Sequence, residues 1–217
     1  MDPIEFRLKN AAKEGTKAAY GPKFGPIGLV ETLESAKAHD HYKAPLGPNQ
    51  GRGVASGFWF NIGGETCAAI NISEDGTATL MAGTPDIGGS RATLCQIAAE
   101  ELGIDYDKVR PIIADTNSLG YTFLTGGSRA TFSSGLAVID AAGQIVKQMR
   151  ERAAKAWEIP VEDVEWEAGV ARAGGEHAGK HEPLTLAAIA ATAGKTGGPI
   201  AGHAEINAQG AAPGFGT

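Results

Sequence analysis

The 217-residue chain is short of cysteine, aromatic residues and positive charge, and each shortage removes a class of function. Its two cysteines, Cys67 and Cys95, are too few for a disulfide scaffold and lack metal-ligand spacing. They read as small buried residues of a protein kept in a reducing, cytoplasmic compartment. Lys and Arg number 19 against 25 Asp and Glu, a formal charge of -6 with no basic stripe, which argues against nucleic acid as a partner. No apolar run reaches the roughly 18 residues of a membrane span. Two nucleotide signatures are missing as well, because no Gly-x-x-x-x-Gly-Lys-Ser/Thr and no Gly-x-Gly-x-x-Gly occurs. What remains, at 42% hydrophobic and 20% charged, is an ordinary globular composition.

Glycine is plentiful at 31 residues, and it gathers at element boundaries, where it reads as tight turns. Residues 2 to 10, Asp-Pro-Ile-Glu-Phe-Arg-Leu-Lys-Asn, predict a helix rather than a secretory signal, with Asp2 as cap and Pro3 in the first turn. A second helix carries Leu29, Leu33 and Ala36. It ends in His39 and His41, whose spacing of two puts them on different faces and makes them poor joint ligands. After the Pro/Gly loop from Pro45 to Gly53 the period changes. Val54 to Ile62, Thr66 to Ile72 and Thr77 to Ala82 predict strands, with a hairpin at Ser73 to Gly76.

Leu94, Ile97, Ala98 and Leu102 then share one helical face closed by Gly103, and Val109 to Ala114 reads as a strand. The longest periodic stretch has Leu136, Ile139, Ala142, Ile145, Val146, Met149 and Ala153 on one face. Short strands around Ala168-Gly169, a short helix from Leu184 to Ala193 and a strand near His203 to Asn207 complete the pattern, the rest of the tail being loop. The expected fold is α+β: a mixed, mostly antiparallel sheet packed against two main helices, with an N-terminal helical extension. Residues 1–50 form that extension and 51–217 the main domain. A helix beginning at the second residue and a tail without a capped element suggest a segment of a larger subunit.

The feature that points to chemistry is a six-residue motif written twice, Gly-Gly-Ser-Arg-Ala-Thr at Gly88 to Thr93 and at Gly126 to Thr131. Each copy precedes an apolar-periodic helix. A glycine pair lets backbone amides converge on one space, and the helix start behind it adds unpaired N–H groups and the positive end of a dipole. Ser90 and Ser128 can cap or donate, and Arg91 and Arg129 can add charge. Two such loops suit one extended anionic ligand. The plain alternative is a duplicated pair of serine caps that packs and binds nothing. His177 and His181 lie in a Gly-rich charged loop, where a spacing of four brings no ligands together.

With these residues in view, the chain resembles the molybdenum-binding large subunit of the xanthine dehydrogenase and aldehyde oxidase family. The likeness is carried by residues 2 to 10, by Asp86-Ile-Gly-Gly89 with Gln96 to Gly103, by Val109 to Asn117 and by Thr125-Gly-Gly-Ser-Arg129 with Gly135 to Val138. It is good to about residue 150 and thin beyond. The resemblance implies a molybdenum-pterin cofactor, in bacterial members often the cytosine dinucleotide form, bordered by Gly88, Gly89, Ser90 and Arg91 on one side. Thr125, Gly126, Gly127, Ser128 and Arg129 would border it on the other. It implies oxidation of an aldehyde or N-heterocycle with water, with iron-sulfur and FAD cofactors carried only by partner domains or subunits, and a small-molecule substrate. The remainder of its own large subunit would be a further partner.

Two departures stand out. Many members carry Gly-Gln-Gly where this chain has Gly88-Gly89-Ser90, so a glutamine that reaches the cofactor is replaced by Gly89. The family's base, a glutamate in a Gly-Glu motif far along the chain, has no counterpart, since Gly64-Glu65 and Gly175-Glu176 stand in the wrong places. The resemblance therefore assigns no catalytic residue and no protein ligand to the metal here, and implies that this segment alone is inactive. A non-catalytic anion- or nucleotide-binding module of the same fold is the competing expectation.

Overall fold

A computed structural model describes residues 1–211 and 214–217. The chain forms two compact units, one of residues 1–62 with 210–217 and the other of residues 63–209.

In the first unit, helix α1 (Pro3–Asn10) starts as the sequence expects, with Asp2 Oδ1 accepting from the amides of Ile4 (2.8 Å) and Glu5 (3.0 Å). Helix α2 (Leu29–Ala38) and the single turn α3 (Asp40–Lys43) follow, and Lys37 pairs with Glu5. Ile4 and Leu33 are buried. Strand β1 is only Gly57–Trp59. The expected longer strand over Val54 to Ile62 does not form, and β1 does not join the strand that follows it. It pairs antiparallel with β9 (Gly214–Gly216) at the far end of the chain.

The second unit is built on a four-stranded sheet in the order β4-β3-β2-β8. Its strands are β2 (Gly64–Ile72), β3 (Ala78–Ala82), β4 (Val109–Ile113) and β8 (Ile200–Ala208). The pairs β2·β3 and β2·β8 are antiparallel and β3·β4 is parallel, so the mixed, mostly antiparallel expectation holds. Gly76, at φ +80°, closes the β2–β3 hairpin. The two main helices, α4 (Ser90–Leu102) and α5 (Ala130–Trp157), cover one face. Gly103 caps α4 in the left-handed conformation, as its place after the last apolar residue predicts.

Helix α5 buries Ala137, Val138, Ala141, Ala142, Ile145, Met149 and Ala153. Leu136 and Ile139, expected on this face, are 40% and 39% exposed. Small residues take their place because the helix lies almost on the sheet, where a β-carbon on Gly202 would fall 1.9 Å from the Ala141 carbonyl oxygen. Glutamines of α5 also reach the outer edge of β8. The Gln144 side chain donates to the His203 carbonyl (2.9 Å) and accepts from the His203 amide (3.2 Å), and Gln148 donates to the Ala201 carbonyl (2.6 Å).

A three-stranded antiparallel sheet of β5 (Val164–Glu167), β6 (Val170–Ala173) and β7 (Leu184–Thr185) completes the unit, with the short helices α6 (Leu186–Ala190) and α7 (Ala193–Thr196). Leu184 and Thr185 are thus strand, not helix, and Thr185 caps α6. The tail, expected to be loop outside its one strand, also supplies α7 and β9. Among the described residues, no helix is long and apolar enough to cross a membrane.

Candidate cofactor site

Both glycine motifs lie in the second unit, and strand directions bring them to one end of it. Strand β4 runs parallel to β3, so the intervening α4 runs back against both. Helix α5 runs with β2. Near the start of both, Thr66 and Ser134 hydroxyls meet at 3.3 Å, while further along Gln148 bonds Ala201, the register partner of Asn71. Since β2 opposes β3, α4 and α5 run parallel to each other. They touch where a β-carbon on Gly135 would stand 3.1 Å from Ile97 Cδ1. At about 1.5 Å per residue, that contact lies within two turns of either start, so the two helix N-termini are nearly level. Their positive dipole ends face the same edge of the sheet.

The first loop is open. Gly88 and Gly89 adopt φ of +77° and +87°, and β-carbons added there would meet nothing within 4 Å. Their amides donate to no acceptor among the described residues. The Ser90 hydroxyl turns inward, donating to the Pro85 carbonyl (2.9 Å), so it is buried in the turn. The helix start carries its own anion, because Asp86 Oδ1 accepts from the Arg91 amide (3.0 Å) and Asp86 Oδ2 lies 3.4 Å from Arg91 Nε. Sequence reasoning gave capping to Ser90 and missed Asp86. The available signal was an aspartate a turn ahead of the helix. Asp86→Ala is expected to lower stability by about 1 kcal/mol, the worth of a helix cap, in a urea titration. No change would mean that the carboxylate does not hold the turn.

The second loop is arranged differently. Gly127 and Ser128 both lie in the left-handed region, at φ +60° and +55°. The amides of Gly126 and Gly127 donate to no acceptor among the described residues. Helix α5 has no side-chain cap and no acidic residue in its first turn. Thr125 is exposed. Arg129, expected to reach a ligand, is 1% exposed and points away from solvent. Its Nε donates to the Gly63 carbonyl (2.8 Å), Nη1 to those of Phe123 (2.7 Å) and Leu124 (3.1 Å), and Nη2 to that of Glu65 (2.7 Å). The Phe123 ring lies 5.4 Å away. Burial pushes the guanidinium pKa below its usual value while Glu65 and Tyr121 pull it back up, and the group stays charged.

This clamp shows what the sequence did not. Gly63 and Gly64, which fall between the two strands expected at 54–62 and 66–72, leave room for the clamp. A β-carbon on Gly64, at φ +105°, would crowd Phe123 at 3.3 Å and Arg129 Nε at 3.6 Å.

The loop brings His177 and His181 closer than their spacing suggested, with ring centroids 6.4 Å apart; His181 also stacks on Trp157 at 5.6 Å, and His177 sits 3.6 Å from Asp163. Burial raises the thiol pKa of Cys67 and of Cys95, which suits packing rather than nucleophilic chemistry.

Residues 31–214 match the molybdopterin cofactor-binding domain. The chain belongs to this family. As a molybdopterin cofactor-binding domain it is 34% identical, over 169 residues and 77% of its length, to the carbon monoxide dehydrogenase large chain of Hydrogenophaga pseudoflava. It is 31% identical over 128 residues, 52% of its length, to the xanthine dehydrogenase molybdenum-binding subunit of Escherichia coli O157:H7. It covers 19% and 17% of those relatives, about a fifth of their length. The domain also shares its fold with solved structures. For reconstituted CO dehydrogenase from Oligotropha carboxidovorans the TM-score is 0.74 at 21% identity, covering 99% of this chain and 31% of that one. For the aldehyde oxidoreductase of Desulfovibrio desulfuricans the TM-score is 0.60 at 19% identity, covering 96% and 21%.

Proposed function

We propose that this domain holds part of a molybdenum-pterin cofactor within the large subunit of a molybdenum hydroxylase. The observation that carries the reading is the pair of parallel helix starts, nearly level with each other, each preceded by glycines whose amides donate to no acceptor among the described residues. Such loops bind anions and polar heterocycles through the backbone, without charged side chains. The residues fit the group in two ways. At the first loop Gly88 and Gly89 are open but Asp86 already supplies a negative charge, so this wall suits the uncharged, hydrogen-bonding pterin. The second loop has no carboxylate and a buried cation behind it, so Gly126, Gly127 and Ser128 suit phosphate. A dinucleotide form such as the cytosine dinucleotide would extend along that second wall.

When bound, the molybdenum centre supplies the two-electron oxidation of a substrate carbon. This chain's own residues orient and retain the cofactor and contribute no proton transfer. The wider enzyme is proposed to oxidise an aldehyde or N-heterocycle and to pass electrons to iron-sulfur and flavin partners in the cytoplasm. Relatives named for carbon monoxide extend the range of substrates to be assayed. One observation favours a different reading: Gly89 stands where many members of the family carry a glutamine that reaches the cofactor, as an anion-binding module without metal chemistry would.

Metal analysis of the full-length gene product, expressed with cofactor supply, separates the two. About one molybdenum per chain is expected, and none would sink the hydroxylase reading. At Gly127, with φ +60°, valine would add backbone strain to steric filling, so asparagine, which tolerates this conformation, is the cleaner probe. Gly127→Asn is expected to cut molybdenum content at least about tenfold, the equivalent of about 1.4 kcal/mol of binding. The thermal midpoint should stay within a few degrees. Full molybdenum content in that variant would remove the second loop from the site.

A further inference from the structure

We propose that Arg129 is a positioning residue of the cofactor site, which fixes the second glycine loop through a clamp of four backbone carbonyls and places behind it a positive charge that no salt bridge among the described residues neutralises. The inference rests on the cofactor reading given above. Three observations carry it.

The first is the identity of the acceptors. Gly63 and Glu65 belong to the entry of β2, while Phe123 and Leu124 belong to the segment leading into the loop, so one side chain ties the loop to the sheet. Only a guanidinium has donors on three nitrogens in a fixed plane, and a lysine could not span these acceptors. The second is that Arg129 has no salt-bridge partner among the described residues, the Glu65 carboxylate acting on it only through space. Arg129 is buried at the N-terminus of α5, where a dipole already favours negative charge. Neutral carbonyls solvate the cation but do not cancel it. The third is the loop itself. Gly127 and Ser128 hold two successive left-handed conformations, which persist only where surrounding contacts over-determine them, and the clamp ends one residue beyond them. A buried cation with this setting is completed by an anion at Gly126 to Ser128, which Arg129 serves without touching.

The test uses the 217-residue chain and inorganic pyrophosphate as probe, titrated at several salt concentrations, with Arg129→Met and Arg129→Lys beside the natural protein. Arg129→Met removes clamp and charge and is expected to weaken binding by about tenfold or more and to flatten its salt dependence. Arg129→Lys keeps the charge and loses the fork. It should restore the salt dependence and part of the affinity, which a purely structural arginine would not predict. Binding by Arg129→Met that matches the natural protein, or an Arg129→Lys no better than Arg129→Met, would overturn the proposal. Should Arg129→Met fail to fold, Arg129→Lys decides alone: retained salt dependence supports the role and its loss refutes it. If the natural protein itself does not bind pyrophosphate, the phosphate reading of the second loop fails, and this inference with it.

Discussion

Gly202→Ala is expected to lower the thermal midpoint of the unit formed by residues 63–209 by roughly 6–12 °C, the equivalent of about 3 kcal/mol for a unit of this size. The added methyl would stand 1.9 Å from the Ala141 carbonyl oxygen and 2.8 Å from its carbon. Both are backbone atoms of α5, so no side-chain rotation relieves the clash. Either the 28-residue helix tilts away from β8, or the edge strand leaves the sheet. Both movements open the alanine-lined seam of Ala137, Ala141 and Ala142. Interiors at native packing density relax little, so the cost lies at the upper end of overpacking effects. Gly143, on the same helix, provides the control. A β-carbon there meets nothing within 4 Å, and Gly143→Ala should be neutral or stabilise by up to about 1 kcal/mol through helix propensity. Calorimetry of both variants checks the pair. A Gly202→Ala midpoint within 2 °C or so of the natural value would show that α5 does not lie so close.

Gly63→Ala should combine a stability loss with a loss of ligand affinity. Its β-carbon would fall 1.6 Å from the Ala208 carbonyl oxygen and 2.9 Å from the carbonyl carbon of Gln209. The entry of β2 must then shift relative to the end of β8. Gly63 also presents the carbonyl that receives Arg129 Nε, so the shift pulls on the clamp. We expect a destabilisation of about 3 kcal/mol by urea titration. Pyrophosphate affinity of the remaining folded fraction should fall about tenfold. A variant that loses stability but keeps full affinity would show that the second loop is independent of the β2 entry.

Much of this arrangement was legible in the sequence, for physical reasons. The α4 and α5 helices, the Ser73 to Gly76 turn and the cap at Gly103 all rest on local rules of periodicity and glycine conformation, which tertiary structure did not override. The doubled motif was legible as a pair of amide-presenting turns for the same reason. What escaped was non-local. An arginine beside two glycines reads as a group for a ligand, and nothing within its own loop reveals that Gly63 and Glu65 supply two of its acceptors. The strand at Gly57–Trp59 was over-extended because an aromatic run favours β structure, while its partner strand, Gly214–Gly216, is distant in sequence. Leu136 and Ile139 fit the apolar period of the helix, and periodicity alone places them on the core face. At a close helix-sheet contact the alanines go inside instead.

The glutamine contacts along β8 have a consequence for how the molecule can associate. The side-chain amides of Gln144 and Gln148 occupy backbone groups of Ala201 and His203 that a neighbouring strand would otherwise use. The opposite edge, β4, carries Pro111 at its centre, which has no N–H to offer. Each margin of the four-stranded sheet thus carries an obstacle to another strand, one by borrowed side chains and one by proline. Pairing of a further strand on either edge of this sheet is disfavoured.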